Sequence, residues 1–292
     1  MTAAKNARTA ALEALIDAHA VELKLPTVRR RYRTLAEEAI REQQTPVAYL
    51  AALLEAETTE RAERRERRRL LDARFPQIKR LEDFRFADNP KVPQTTIAAL
   101  AEGSWIQDRE SVILIGDSGT GKTHLGIALA VRACQQGRRV RFTTLAALAN
   151  ELQEAESRKE LARVVARYSR IELLCLDELG YLKLPDGAAE LVFQVLSERH
   201  ERSSLIVTTN LPFGEWTKVF PDARMAKAVV DRLTHRTHHR HRQRVLALPS
   251  RTQTRGLNPA RTRLSPLRSA LRANLRDDSR VSPDHPIRHD PG

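Results

Sequence analysis

Residues 116–123 read GDSGTGKT, and their types and spacing suit the binding of a polyphosphate. Gly116, Gly119 and Gly121 let the backbone curl around an anion without Cβ clashes, so that its N–H groups point inward. Lys122 is spaced to reach β- and γ-phosphates, and the Thr123 hydroxyl to ligate Mg²⁺. The expected nucleotide set is Gly116, Asp117, Ser118, Gly119, Thr120, Gly121, Lys122, Thr123 and His124. A second element is IELLCLDE (171–178), an apolar run that ends in two acids. Asp177 is expected to hold the Mg²⁺ shell, and Glu178 to orient and deprotonate a water that attacks the γ-phosphate. A P-loop kinase acting on a small molecule needs no such second acid, so the pair favours hydrolysis. The third element is LIVTTN (205–210), whose Asn210 can set a neutral amide beside that water.

These groups must be held at one edge of a sheet. The run SVILIG (111–116) is a short apolar strand feeding a helix over 121–136, so the glycine loop has the strand–loop–helix setting it requires. Further strands are expected at 139–144, 171–178 and 203–210, with helices over 145–167 and 186–202 between them. Short β-branched runs separated by longer helices imply a parallel sheet covered on both faces, an α/β fold. Ligands gather at the carboxyl edge of such a sheet, where all three motifs end.

Residues 1–75 read as a separate all-helical domain. Leu12, Leu15, Ile16 and Ala20 recur at helical spacing, Pro26 breaks one helix and starts another, and Thr45–Pro46 pairs a cap with proline at the first helical position. The third helix carries 7 Arg against 3 acids over residues 61–74. Such a run is either a solvated face with internal ion pairs or a phosphate-contacting helix, and composition does not separate the two.

The formal charge is +13, but residues 233–292 hold 13 Arg and 4 acids, a surplus of 9 that leaves only +4 for the rest. A nucleic-acid partner must therefore be argued without the tail. Cys134 and Cys175 sit in apolar stretches, as expected of a reduced cytoplasmic protein. No apolar run approaches the roughly 18 residues needed to span a bilayer, so no membrane role is expected.

Five blocks resemble one family: GDSGTGKTHLGIALA, RVRFTT, LLCLDELGYLKL, FQVLSERHERSSLIVTTNLPFGEW and VVDRLTH. Together with RRLLDARFPQIKRLEDFRF they are similar to the IstB-type ATPases, the helper proteins of IS21-family transposons, over roughly residues 20–238. That resemblance implies an AAA+ ATPase domain at 76–248 behind the helical domain. It further implies a homo-oligomer on double-stranded DNA that works with a partner transposase. By the same resemblance Asn210 is the sensor, and Arg232 in VVDRL is the arginine offered to a neighbour's γ-phosphate. Arg199 in SERHERS is a second candidate for that role. Three rivals remain open at this stage: a helicase loader of replication, a DNA-binding protein that uses ATP only to assemble, and a small-molecule kinase.

The tail departs from this pattern. HRTHHRH (235–241) offers histidines without the spaced cysteines of a zinc finger, and we read no metal site there. Residues 249–292 contain only seven Leu, Val or Ile. Burying all of them contributes roughly 10–20 kcal/mol, whereas ordering the segment costs about 40 kcal/mol or more, so it is expected to be disordered. The resemblance calls for an ending of the type I-x-D-T-G-x-E-S-[YW]-R after residue 238. Codons permitted for residues 238–249, read one base later, spell ITDTGSESWRF. A frameshift near codon 238 is therefore expected, leaving the last strand of the ATPase domain missing or altered.

Overall fold

The computed structural model describes residues 2–89, 92–234 and 244–248. The chain opens with three helices: α1 (Thr2–Glu22), α2 (Pro26–Arg41) and α3 (Pro46–Ala73). Thr45 caps α3 by accepting from the Ala48 N–H at 3.2 Å. Helix α2 has no side-chain cap of its own. Glu57, on α3 and only 3 % exposed, supplies one by accepting from the Thr27 and Val28 N–H groups at 2.8 and 3.1 Å. A carboxylate there satisfies orphan donors at the positive end of the helix.

Helix α3 ends at Ala73 with Arg74 as its left-handed cap, just before the boundary expected near residue 75. Its last turns bury Ala73 in the core that lies under the P-loop helix, and Arg69 donates from Nε to the Cys134 carbonyl at 2.8 Å. The end of α3 therefore packs on the α/β part that follows. Two short helices follow, α4 (Gln94–Ala101) and α5 (Ser104–Gln107).

The α/β part continues with β1 (Val112–Gly116), α6 (Lys122–Gln135), β2 (Val140–Thr144), α7 (Leu145–Ser157), α8 (Leu161–Ser169), β3 (Leu173–Leu179), α9 (Asp186–Arg199), β4 (Ser204–Thr209), α10 (Ala223–Thr234) and β5 (Arg244–Leu248). The strands form one sheet in the order β2-β3-β4-β1-β5, with every pair parallel. Alternate residues feed two cores: Leu174, Leu176, Leu205 and Val207 face α7–α10, while Leu173, Cys175, Ile206 and Leu114 face α4–α6 and the end of α3. This is the α/β arrangement expected, a parallel sheet flanked by helices behind a helical N-terminal region.

Two expectations change. The helix expected over 145–167 is two helices, α7 and α8, broken by Lys159 at φ 59°. No glycine or proline marks the break; α7 and α8 instead pack side by side against the same core as α9. The last strand, expected to be missing or altered, is not missing: it is present as RVLAL, a run other than the ending the resemblance calls for. Its four consecutive apolar residues face alternate sides, with Val245 packed against the α7–α10 core. Leu246 and Leu248 turn into the α4–α6 core, and the Leu248 carbonyl comes so near Gly116 that a Cβ there would stand 2.2 Å from it. HRTHHRH and the segment 249–292 lie outside the described residues, and no helix among those described is long and apolar enough to cross a membrane.

Candidate nucleotide site

Strand β1 delivers the glycine loop to the carboxyl edge of the sheet, and α6 begins directly behind it. Gly121 stands at φ 88°, and a Cβ there would lie 2.6 Å from the Phe84 ring. The loop is thus turned by a residue that only glycine can be, under a lid of the 75–86 segment. Thr120 is buried and donates to the Asp117 carbonyl at 2.9 Å, while Asp117, Ser118 and Gly119 stay exposed. Lys122 Nζ donates to the same carbonyl at 2.7 Å. Burial lowers the lysine's pKa, against the opposing pull of Asp177 and Asp117. His124 Nε2 lies 2.9 Å from the Arg80 carbonyl, with its ring 5.4 Å from that of Phe84, so it ties the 75–86 segment to the start of α6.

The acids arrive on β3, whose end lies beside the loop. Thr123 Oγ1 donates to Asp177 at 2.9 Å (Oδ1) and 3.1 Å (Oδ2), which brings together the two groups expected to hold Mg²⁺. Asp177 is 4 % exposed, whereas Glu178 next to it points to solvent. A hydroxyl and a carboxylate side by side are hard oxygen donors of the kind Mg²⁺ takes, so the residues fit the ion. Asn210 follows β4, exposed, and a methyl on Gly180 would stand 2.7 Å from its Oδ1. The loop, the acid pair and the Asn210 amide are therefore gathered at one sheet edge.

Residues 18–244 match the family model of the IstB-like ATP binding proteins. The chain belongs to the IstB-like ATP-binding family. An insertion-sequence ATP-binding protein of Sinorhizobium fredii is 38% identical over 79% of this chain and 78% of its own length. The IS21 ATP-binding protein of Pseudomonas aeruginosa is 36% identical over 73% of this chain and 80% of its own. Another from Geobacillus stearothermophilus, of insertion sequence IS5376, reaches 33% over 73% and 85%. This IstB-like chain is accordingly an ATP-binding P-loop ATPase of the insertion-sequence helper family.

The two arginine candidates separate. Arg199 is 0 % exposed and donates to the Tyr168, Ile171 and Ser204 carbonyls, so it cannot be offered to a neighbour. Arg232 lies over the Phe193 ring at 4.4 Å to the centroid, with Nη1 donating to the Ala228 carbonyl at 3.1 Å. On α3 part of the arginine run is engaged within the fold. Arg61 and Arg64 pair with buried Glu57, and Arg69 holds the Cys134 carbonyl. Arg65 and Arg67 are exposed and have no acidic partner among the described residues. Sequence reasoning passed over Thr208, which touches both acids of the site. Its one visible signal is a pair of threonines closing an otherwise apolar strand.

Proposed function

We propose that this IstB-like protein is an ATP-driven helper of transposition. It assembles as a homo-oligomer on double-stranded DNA, acts with a partner transposase and hydrolyses ATP to regulate target selection, in the cytoplasm where that DNA lies. The observation that carries this reading is the joined Thr123–Asp177 pair with Glu178 beside it, in a chain whose relatives bear insertion-sequence names. Lys122 leaves the Asp117 carbonyl to reach the β- and γ-phosphates, and the loop N–H groups surround them. Thr123 and Asp177 would hold Mg²⁺, which would neutralise charge on the phosphate oxygens. Glu178 takes the proton of the attacking water, and Asn210 fixes that water's orientation. Arg232 leaves Phe193 to meet the γ-phosphate of a neighbouring subunit, a contact that can raise turnover by orders of magnitude. The exposed arginines of α3 supply part of the DNA contact.

Phosphate release by the purified full-length chain, with and without duplex DNA, tests the proposal. DNA should stimulate release in the wild type; Glu178→Gln should abolish it and Arg232→Ala should do the same, both with ATP binding kept. Release that ignores DNA, or normal turnover in Glu178→Gln, would sink it.

A further inference from the structure

The pairing of β3 with β4 changes register at the acid pair. Leu176 stands opposite Val207, and Leu179 stands opposite Thr209. Asp177 and Glu178 together thus face one residue, Thr208. Two residues opposite one is a β-bulge, a device that re-aims side chains beside active sites. Glu178 pays for it with a φ of 60°, the left-handed region that residues with a Cβ avoid. A regular ladder would also leave the extra N–H of the bulge without a partner.

Thr208 answers both problems with one hydroxyl. Its Oγ1 accepts the Glu178 N–H at 3.1 Å and donates its own proton to Asp177 Oδ1. One O–H and one lone pair are used, which is a consistent assignment for a hydroxyl. The side chain is 2 % exposed, and a side chain on Gly126 would meet its methyl at 3.3 Å. The methyl therefore rests on α6, the helix of the phosphate loop. With the methyl seated there, χ1 is set and the hydroxyl has one direction to point.

We propose that Thr208 is a positioning residue for ATP hydrolysis, holding the bulge that aims Asp177 and Glu178. The proposal rests on the reading of those two acids as the metal and water groups. Valine has the shape of threonine without the hydroxyl. In Thr208→Val the Glu178 N–H loses its acceptor and Asp177 loses a donor, so the bulge relaxes. A slip of one residue turns a side chain to the opposite face of a strand, and Glu178 is then withdrawn from the water.

The test compares full-length wild type, Thr208→Val and Thr208→Ser. Valine should lower kcat for phosphate release by about a hundredfold, the scale of an ångström-sized misplacement, while the KM for ATP stays within about threefold because the loop is untouched. Serine should restore kcat. Hydrogen exchange over residues 172–182, measured without nucleotide, should show the Glu178 amide exchanging faster in the valine variant and protected in the other two. Equal kcat in valine and wild type, equal losses in valine and serine, or unchanged Glu178 exchange in valine would each overturn the proposal. If circular dichroism shows the valine variant unfolded, serine against Thr208→Ala decides: serine active with alanine impaired upholds it, and no difference overturns it. A wild type without turnover would refute the reading of the acids, and the exchange arm would still decide the role of the hydroxyl.

Discussion

Replacing Arg199 by methionine separates a structural arginine from one that serves a neighbour. The guanidinium ties the end of α9 to the ends of α8 and β4, donating to Ile171 and Ser204 carbonyls at 2.9 Å each and to the Tyr168 carbonyl. Burial lowers its pKa to about 10, which marks the cost of keeping that charge out of water, with Tyr168 pulling weakly the other way. Hydrogen bonds from an ionised donor contribute roughly 1.5–3 kcal/mol each. Three of them outweigh the desolvation that methionine would relieve, although the Tyr168 carbonyl would keep the Ile171 N–H at 3.2 Å. A net loss of about 3–5 kcal/mol follows, as for breaking other buried charged networks. With an m-value of roughly 2–3 kcal/mol per molar urea, the midpoint should fall by about 1–2 M. Trp105 and Trp216 are both 0 % exposed within the ATPase core, so their fluorescence reports its unfolding. A variant that unfolds at the wild-type urea concentration yet loses all turnover would refute this account and return Arg199 to the catalytic interface.

Two further outcomes are expected. Burial alone would raise the pKa of Glu57, but the Val28 and Thr27 N–H groups and Arg61 together bring it below the usual 4.5. A lowered folded pKa contributes stability above the unfolded pKa that is lost as pH falls through the folded one. Glu57→Gln should therefore cost about 1–3 kcal/mol at neutral pH, and thermal unfolding should show the gap from wild type closing as the pH drops below that value. A gap that stays constant into acid would count against the cap. Gly121→Ala forces a Cβ into left-handed backbone and against the Phe84 ring. The backbone term alone is roughly 1–2 kcal/mol, so a fluorescent ATP analogue should bind about tenfold more weakly; unchanged affinity would mean that the loop reshapes without cost.

The phosphate loop, the acid pair and the strand ends were legible because their signals are local. The spacing of glycines, the runs of β-branched residues and the Thr45–Pro46 cap act between near neighbours, and a near-neighbour rule can be read along the chain. Strand order, by contrast, places β1 between β4 and β5, and nothing local to residues 112–116 says so. The same holds for the break at Lys159, for Arg199 and for the cap that Glu57 lends to α2 from 30 positions away. The tail shows the limit in the other direction. An ending other than the one the resemblance calls for still furnishes β5, because the apolar run 245–248 suits a parallel strand packed on both faces. The chain's order of residues thus determined which groups could do chemistry and at which strand ends they sit. Only the folded sheet decided that Thr208 would lie opposite Asp177 and Glu178, because that meeting depends on a register between strands and on the packing of a methyl against α6.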